Sequence, residues 1–218
     1  MDIDKWMSEY IRAMLDCFGA RVRFIGLQGS RARGEAHAGS DIDAVLILDT
    51  AGIDELCAYR AATQRLPDSN LLCGFVSGAG ELKNWAAGEL FQFYRDTVPY
   101  YGRLEEIIGR PGIEEARAAV QSGACAIYHA VSHNFLHARD IAALRGIYKS
   151  AFFVMRAVSF CRTGHWPGSR CALLSVVSGA EREILELSGA PDSMADTDFE
   201  RYSTLLLGWT SALLLSRA

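Results

Sequence analysis

The chain predicts an α+β architecture, a small mixed β-sheet with flanking helices followed by an all-α helical bundle. Three observations carry this prediction. Apolar runs of strand length alternate with helical periodicity through about residue 80, and past Gly109-Arg110-Pro111-Gly112 the periodicity is helical throughout. Half of the 218 residues are apolar against 22% charged, ample for one or two packed cores. The Gly/Pro break sets the boundary between domains spanning residues 1–110 and 111–218.

The elements follow in order. Trp6, Tyr10, Ile11, Met14 and Leu15 recur at helical spacing within Ile3 to Phe18, and Gly19 stands where a helix commonly stops. Val22 to Leu27 reads as a strand, and a polar Gly-rich stretch, Gln28 to Ser40, separates it from a second, Ile42 to Leu48. A helix from about Ile53 to Arg65 and a third strand, Leu71 to Val76, complete an α-β-α-β-α-β alternation. Short helical pieces through Trp85 and Tyr94 lead to an extended Thr97-Val98-Pro99-Tyr100-Tyr101. Helices are then predicted over Ile113 to about Arg139, Asp140 to Arg162, Ser169 to Val177, Glu181 to Leu187 and Phe199 to Ser216, a bundle of four or five members.

Charge excludes several classes of function. Basic residues number 22 against 26 acidic ones, with the deficit confined to the first 110 residues, so no basic domain exists to track a nucleic acid polymer. All but Lys5, Lys83 and Lys149 of the basic residues are arginine, which suits fixed bidentate contacts. The six cysteines form no CxxC pair and sit in apolar runs such as Leu71-Leu72-Cys73, so they read as reduced core thiols of a cytoplasmic protein. The opening residues lack the layout of a signal peptide. Leu205 to Leu215 is too short and too interrupted to span a bilayer, so no membrane partner is expected.

Chemistry concentrates in Gly29-Ser30-Arg31-Ala32-Arg33-Gly34, which follows a strand, and Ser40-Asp41-Ile42-Asp43, which opens the next. A Gly-Ser turn lets several main-chain N–H groups and a hydroxyl approach one phosphate closely, because glycine removes the Cβ. Aspartates at i and i+2 of a strand point to one face, where they repel unless a divalent cation neutralises them. Hard carboxylate oxygens favour Mg²⁺.

This run resembles the nucleotidyltransferase superfamily that includes DNA polymerase beta, and within it the small bacterial minimal and antibiotic-modifying branch. The resemblance covers roughly residues 20 to 80. It implies a nucleotidyltransferase fold in which Asp41 and Asp43 are catalytic and hold Mg²⁺ against a nucleoside triphosphate, most readily ATP. It further implies that Gly29 and Ser30 contact the β and γ phosphates, with Arg31, Arg33 and Ser40 completing the nucleotide site. The reaction implied is transfer of a nucleoside monophosphate to an acceptor hydroxyl, with pyrophosphate released. The acceptor is a small molecule such as an aminoglycoside or lincosamide, or else a protein hydroxyl.

One departure stands out. The family commonly supplies a third carboxylate from the next core strand, yet Asn70 to Val76 contains no acid. Glu81, then Asp96, then Glu89 are the candidates to replace it, and Glu81 is assigned as the third catalytic residue. If none reaches the pair, the chain is a degenerate nucleotide-binding or antitoxin-like regulatory module.

Other features have plainer readings. His129, His133 and His137 recur every four residues, a spacing at which two can share an ion, yet no carboxylate or cysteine partner accompanies them in sequence. They read as a polar helix face against the catalytic domain or lining an acceptor cleft, each histidine by default buried and satisfied. Phe91, Phe93, Tyr94, Tyr100 and Tyr101 read as packing between the domains, and Arg162-Thr163-Gly164-His165 as a helix end rather than a catalytic pair. The apolar Phe199 to Ser216 segment leaves a homodimer open.

Overall fold

The structure is a computed structural model describing residues 1–216. It resolves into two compact units, one of residues 1–86 and 93–111, the other of residues 87–92 and, among the described residues, 112–216.

The first unit is built on helix α1 (Ile3–Phe18), whose N-cap Asp2 accepts a hydrogen bond from the Lys5 amide at 3.1 Å. It ends at Gly19, where a φ of 55° suits a residue without Cβ. Strands β1 (Val22–Gln28), β2 (Asp43–Leu48), β3 (Phe75–Gly78) and β4 (Val98–Gly102) form one sheet in the order β3-β2-β1-β4. The β1/β2 and β1/β4 pairs are antiparallel and β2/β3 parallel, so the sheet is mixed as expected. Between β1 and β2 lies the single turn α2 (Gly29–Ala32), and α3 (Ile53–Thr63) connects β2 to β3.

Alternation along the strands fixes the faces. Ala44, Leu46 and Leu48 of β2 pack with Ile25 and Leu27 of β1 against Trp6, Met7, Tyr10 and Met14 of α1. Asp43, Val45 and Ile47 therefore point to the other face. On that face Phe75, paired in register with Val45, meets Trp85 and Phe93 edge-on, with ring centroids at 5.2 Å from each.

The third strand differs from the sequence reading. Asn70 and Leu71 lie in a 3₁₀ turn, Ser69–Leu71, and Leu72 makes a lone bridge to Ile42 before the ladder resumes at Phe75. Four positions that read as strand, Leu71 to Gly74, are thus a turn and a kink. The strand itself runs on to Gly78.

Beyond β3 come α4 (Ala79–Lys83), α5 (Ala87–Asp96) and α6 (Glu105–Ile108). The second unit consists of α7 (Ile113–His133), α8 (Ile141–Thr163), α9 (Arg170–Leu174), α10 (Gly179–Gly189) and α11 (Phe199–Leu215). The central α8 buries Leu144, Tyr148, Phe152, Met155 and Val158, and the Tyr148 hydroxyl donates to the Tyr202 carbonyl at 2.9 Å. Residues 87–92 belong to this unit because Phe91 is fully buried against Phe160 and Trp166, at 5.1 and 5.5 Å between centroids. At Gly88 a Cβ would fall 2.7 Å from the Ala119 nitrogen, so the close approach of α5 to α7 requires glycine.

The cysteines correct the sequence reading. All six are free, but Cys17, Cys57, Cys73, Cys125 and Cys171 are exposed, and Cys161 is half-buried. Their apolar neighbours fill the cores while the thiols fall on the outward positions of helices and turns. Among the described residues no helix is long and apolar enough to cross a membrane.

Candidate active site

The site begins where β1 gives way to α2. Gly29 has φ +71°, and a Cβ built on it would overlap the Asp43 carboxylate, so the carboxylate rests directly over the Gly29 Cα. Glycine is required twice over, for its backbone and for the space it leaves. The amides that open a helical turn have no intrahelical partners, so the Gly29-Ser30 end of α2 presents N–H groups beside this carboxylate.

Asp41 and Asp43 flank Ile42, which is fully buried in the sheet core and anchored through its backbone. The Ile42 amide donates to the Leu71 carbonyl at 2.7 Å, and the Cys73 amide donates to the Ile42 carbonyl at 2.9 Å. With Ile42 turned inward, both aspartates turn to the opposite face. Asp41 is exposed and Asp43 half-buried. Burial pushes the Asp43 carboxyl above the usual carboxylate range, and the Asp41 charge adds to that shift, while Arg33 and Arg31 oppose it.

The remaining predicted nucleotide ligands serve the loop itself. The Arg31 Nε donates to the Asp41 carbonyl at 3.0 Å and its Nη2 to the Ser40 carbonyl at 2.6 Å, bracing the segment just ahead of the aspartates. Ser40 is buried, and its hydroxyl accepts from the His37 amide at 2.9 Å. The side chain locks the His37–Ser40 turn. The Arg33 Nε donates to Glu35 at 2.9 Å.

Glu81 also requires correction. Its carboxylate lies over the Cα of Gly78, which pairs with Leu48 at the far end of β2 from Asp43. Five residues of strand put it about 17 Å along the sheet from the aspartates. The parallel β2/β3 pairing causes this, because β3 runs away from the Asp43 end before α4 starts. Asp96 fares differently. Leu27 pairs with Val98, and the Gln28 Nε2 donates to the Thr97 hydroxyl at 2.7 Å, so the chain ahead of β4 lies at the Asp43 end of the sheet. Glu89 belongs to the second unit. Among the described residues, no third acid, histidine or cysteine joins the pair within reach of one metal ion.

With this geometry in view, comparison with known proteins becomes informative. The profile of the family described as nucleotidyltransferase domain matches residues 7–68, which run from α1 past α3 and include the Gly-Ser turn and both aspartates. The chain carries a nucleotidyltransferase domain. It is accordingly classed as a nucleotidyltransferase enzyme. Among solved structures, spectinomycin adenyltransferase AAD(9) from Enterococcus faecialis, crystallised with ATP and spectinomycin, is similar to it. The likeness covers 97% of this chain and 99% of that one, with a TM-score of 0.60 and 13% identity, and is one of fold. No curated protein matches the sequence.

Two of the aromatic residues singled out in the sequence use their hydroxyls on carboxylates of the first unit. The Tyr94 hydroxyl donates to Glu105 at 3.1 Å and that of Tyr100 to Asp4 at 2.6 Å. Gln28 was not singled out by sequence reasoning. It is the register partner of Asp43 and is held by Thr97. Its position at a strand end, directly before the Gly-Ser turn, was the available signal.

Proposed function

We propose that the chain transfers AMP from ATP to a hydroxyl of a small molecule, using Mg²⁺ held between Asp41, Asp43 and the triphosphate. The observation that carries this reading is the Asp43 carboxylate lying over the Gly29 Cα with Asp41 on the same face, which couples the acidic pair to the phosphate-binding turn. The donor set fits the ion: Mg²⁺ is commonly held by one or two carboxylates plus substrate phosphates, with water completing its shell.

In this reading the Gly29 and Ser30 amides and the Ser30 hydroxyl bind the outer phosphates. Arg31 keeps the Ser40-Asp41 backbone in place, and Arg33 adds positive charge nearby. When bound, Mg²⁺ supplies charge neutralisation at the α-phosphoryl and pyrophosphate oxygens. The acceptor oxygen attacks the α-phosphorus in line, a new O–P bond forms, and the bridging bond to the β-phosphate breaks to release pyrophosphate. Of the three acids weighed as a general base, Asp96 is the one that the β1/β4 pairing brings to the Asp43 end of the sheet. The last 108 residues carry ten basic and ten acidic residues, which favours a neutral or singly charged acceptor over a polycation.

A second reading has its own support. The lack of a third ligating side chain beside Asp41 and Asp43 among the described residues suits a module that binds nucleotide without turnover. Pyrophosphate release from Mg·ATP, measured with a panel of aminocyclitols, lincosamides and protein acceptors, separates the two. The enzyme reading expects acceptor-dependent release, one adenylyl group added to the acceptor, and loss of both in Asp41→Asn. Saturable ATP binding with no release for any acceptor supports the module.

A further inference from the structure

Helix α7 does not stop at His133. It continues into a π-helical turn, Asn134–Ala138, in which the Arg139 amide donates to the Asn134 carbonyl at 2.7 Å. The turn is locked from inside. Asn134 is buried, its Nδ2 donates to the Asp140 carbonyl at 2.8 Å, and its Oδ1 accepts from the Asp140 amide at 3.0 Å. Arg139 closes it in the left-handed region, with φ 49°.

This turn changes the spacing of three histidines. His129, His133 and His137 are all exposed along one face, not buried as the default reading had it. In the regular helix, residues four apart overshoot a full turn by about 40°, and the His129 and His133 rings stand 6.2 Å apart. Across the π turn, whose backbone bonds run from i to i+5, the His133 and His137 rings stand 4.8 Å apart.

The shorter distance is that of chelation. A ring nitrogen about 2.0–2.1 Å from a metal ion puts its ring centroid roughly 3.2 Å from that ion. Two such rings at a bond angle of about 95–110° have centroids about 4.7–5.2 Å apart. The His133/His137 pair falls in this range and the His129/His133 pair lies outside it. No third ligating side chain completes a site among the described residues, so other coordination positions remain for water or an outside donor.

We propose that His133 and His137 form a two-imidazole site for a borderline divalent transition-metal ion such as Cu²⁺, Ni²⁺ or Zn²⁺, pre-shaped by the π turn. Imidazole donors suit these ions and not Mg²⁺, so the site is chemically separate from the aspartate pair.

The test is calorimetric titration of the full chain with Ni²⁺ in excess Mg²⁺, which occupies the carboxylate site. The expected result is saturable one-to-one binding, weakened by about tenfold or more in His133→Ala and in His137→Ala and unchanged in His129→Ala. Electron paramagnetic resonance of the Cu²⁺ form should show two nitrogen ligands, falling to one or none in each weakened variant. Absence of saturable binding, binding retained in the His133→Ala/His137→Ala double variant, or equal loss in His129→Ala overturns the proposal. All three side chains are exposed, so far-UV circular dichroism should report an intact fold in each variant.

Discussion

At Gly29 one missing Cβ allows both a backbone conformation and the close approach of the Asp43 carboxylate. Gly29→Ala places a methyl group where the Asp43 carboxylate sits and strains a φ of +71°. The expected outcome is destabilisation by about 1–2 kcal/mol, read by urea unfolding, together with loss of Mg²⁺-dependent nucleotide binding. Asp43 makes the opposite trade. Its folded-state pKa is raised by burial first and Asp41 second, so its charge opposes folding. That penalty is full above the folded value and fades as pH falls toward the unfolded one. Asp43→Asn should therefore raise the thermal midpoint of the ligand-free protein at neutral pH by roughly 1–3 °C, solvent screening having trimmed the gain. The difference from wild type should shrink on acidification, and a variant less stable than wild type at neutral pH would contradict the assignment. Glu81→Gln, at the far end of β2, should leave nucleotide binding and any turnover within about twofold, a difference of a few tenths of a kcal/mol.

At the scale of elements, the hydrophobic pattern made much of the fold legible. Helix α1 and the core strands β1 and β2 follow from apolar spacing, and Gly19 marks where α1 ends. The third strand did not follow. Leu71-Leu72-Cys73 is as apolar as a strand, but the chain folds into a 3₁₀ turn there and pairs only at Leu72 before Phe75. Periodicity cannot tell a buried turn from a short buried strand. Glu81 was misplaced for a separate reason, since the parallel pairing of β3 with β2 carries the chain away from Asp43 before α4 starts. The site divided in the same way: the Gly29-Ser30 turn and the two aspartates were legible from spacing, whereas the roles of Arg31 and Ser40 depend on loop hydrogen bonds that no motif records. The π turn was equally hidden, because it rests on one buried asparagine bonded to Asp140. Asn134→Ala should cost about 1–2 kcal/mol by orphaning the Asp140 amide and removing one of the two bonds at its carbonyl, which still accepts from the Leu144 amide, measurable as a lower urea midpoint.

For the whole molecule, the fold likeness to AAD(9) extends along nearly the full length of both chains. The nucleotidyltransferase profile, by contrast, covers residues 7–68 of the sheet unit alone. The sequence match to the family is thus confined to the first unit. The central claim is that the Gly29-Ser30 turn and the Asp41/Asp43 pair together form a metal-dependent triphosphate site. Calorimetric titration with a non-hydrolysable ATP analogue, with and without Mg²⁺, on wild type and Asp43→Asn tests it without knowledge of the acceptor. The account predicts saturable binding that requires Mg²⁺ and disappears in Asp43→Asn. Binding that is indifferent to both the ion and the substitution would contradict it.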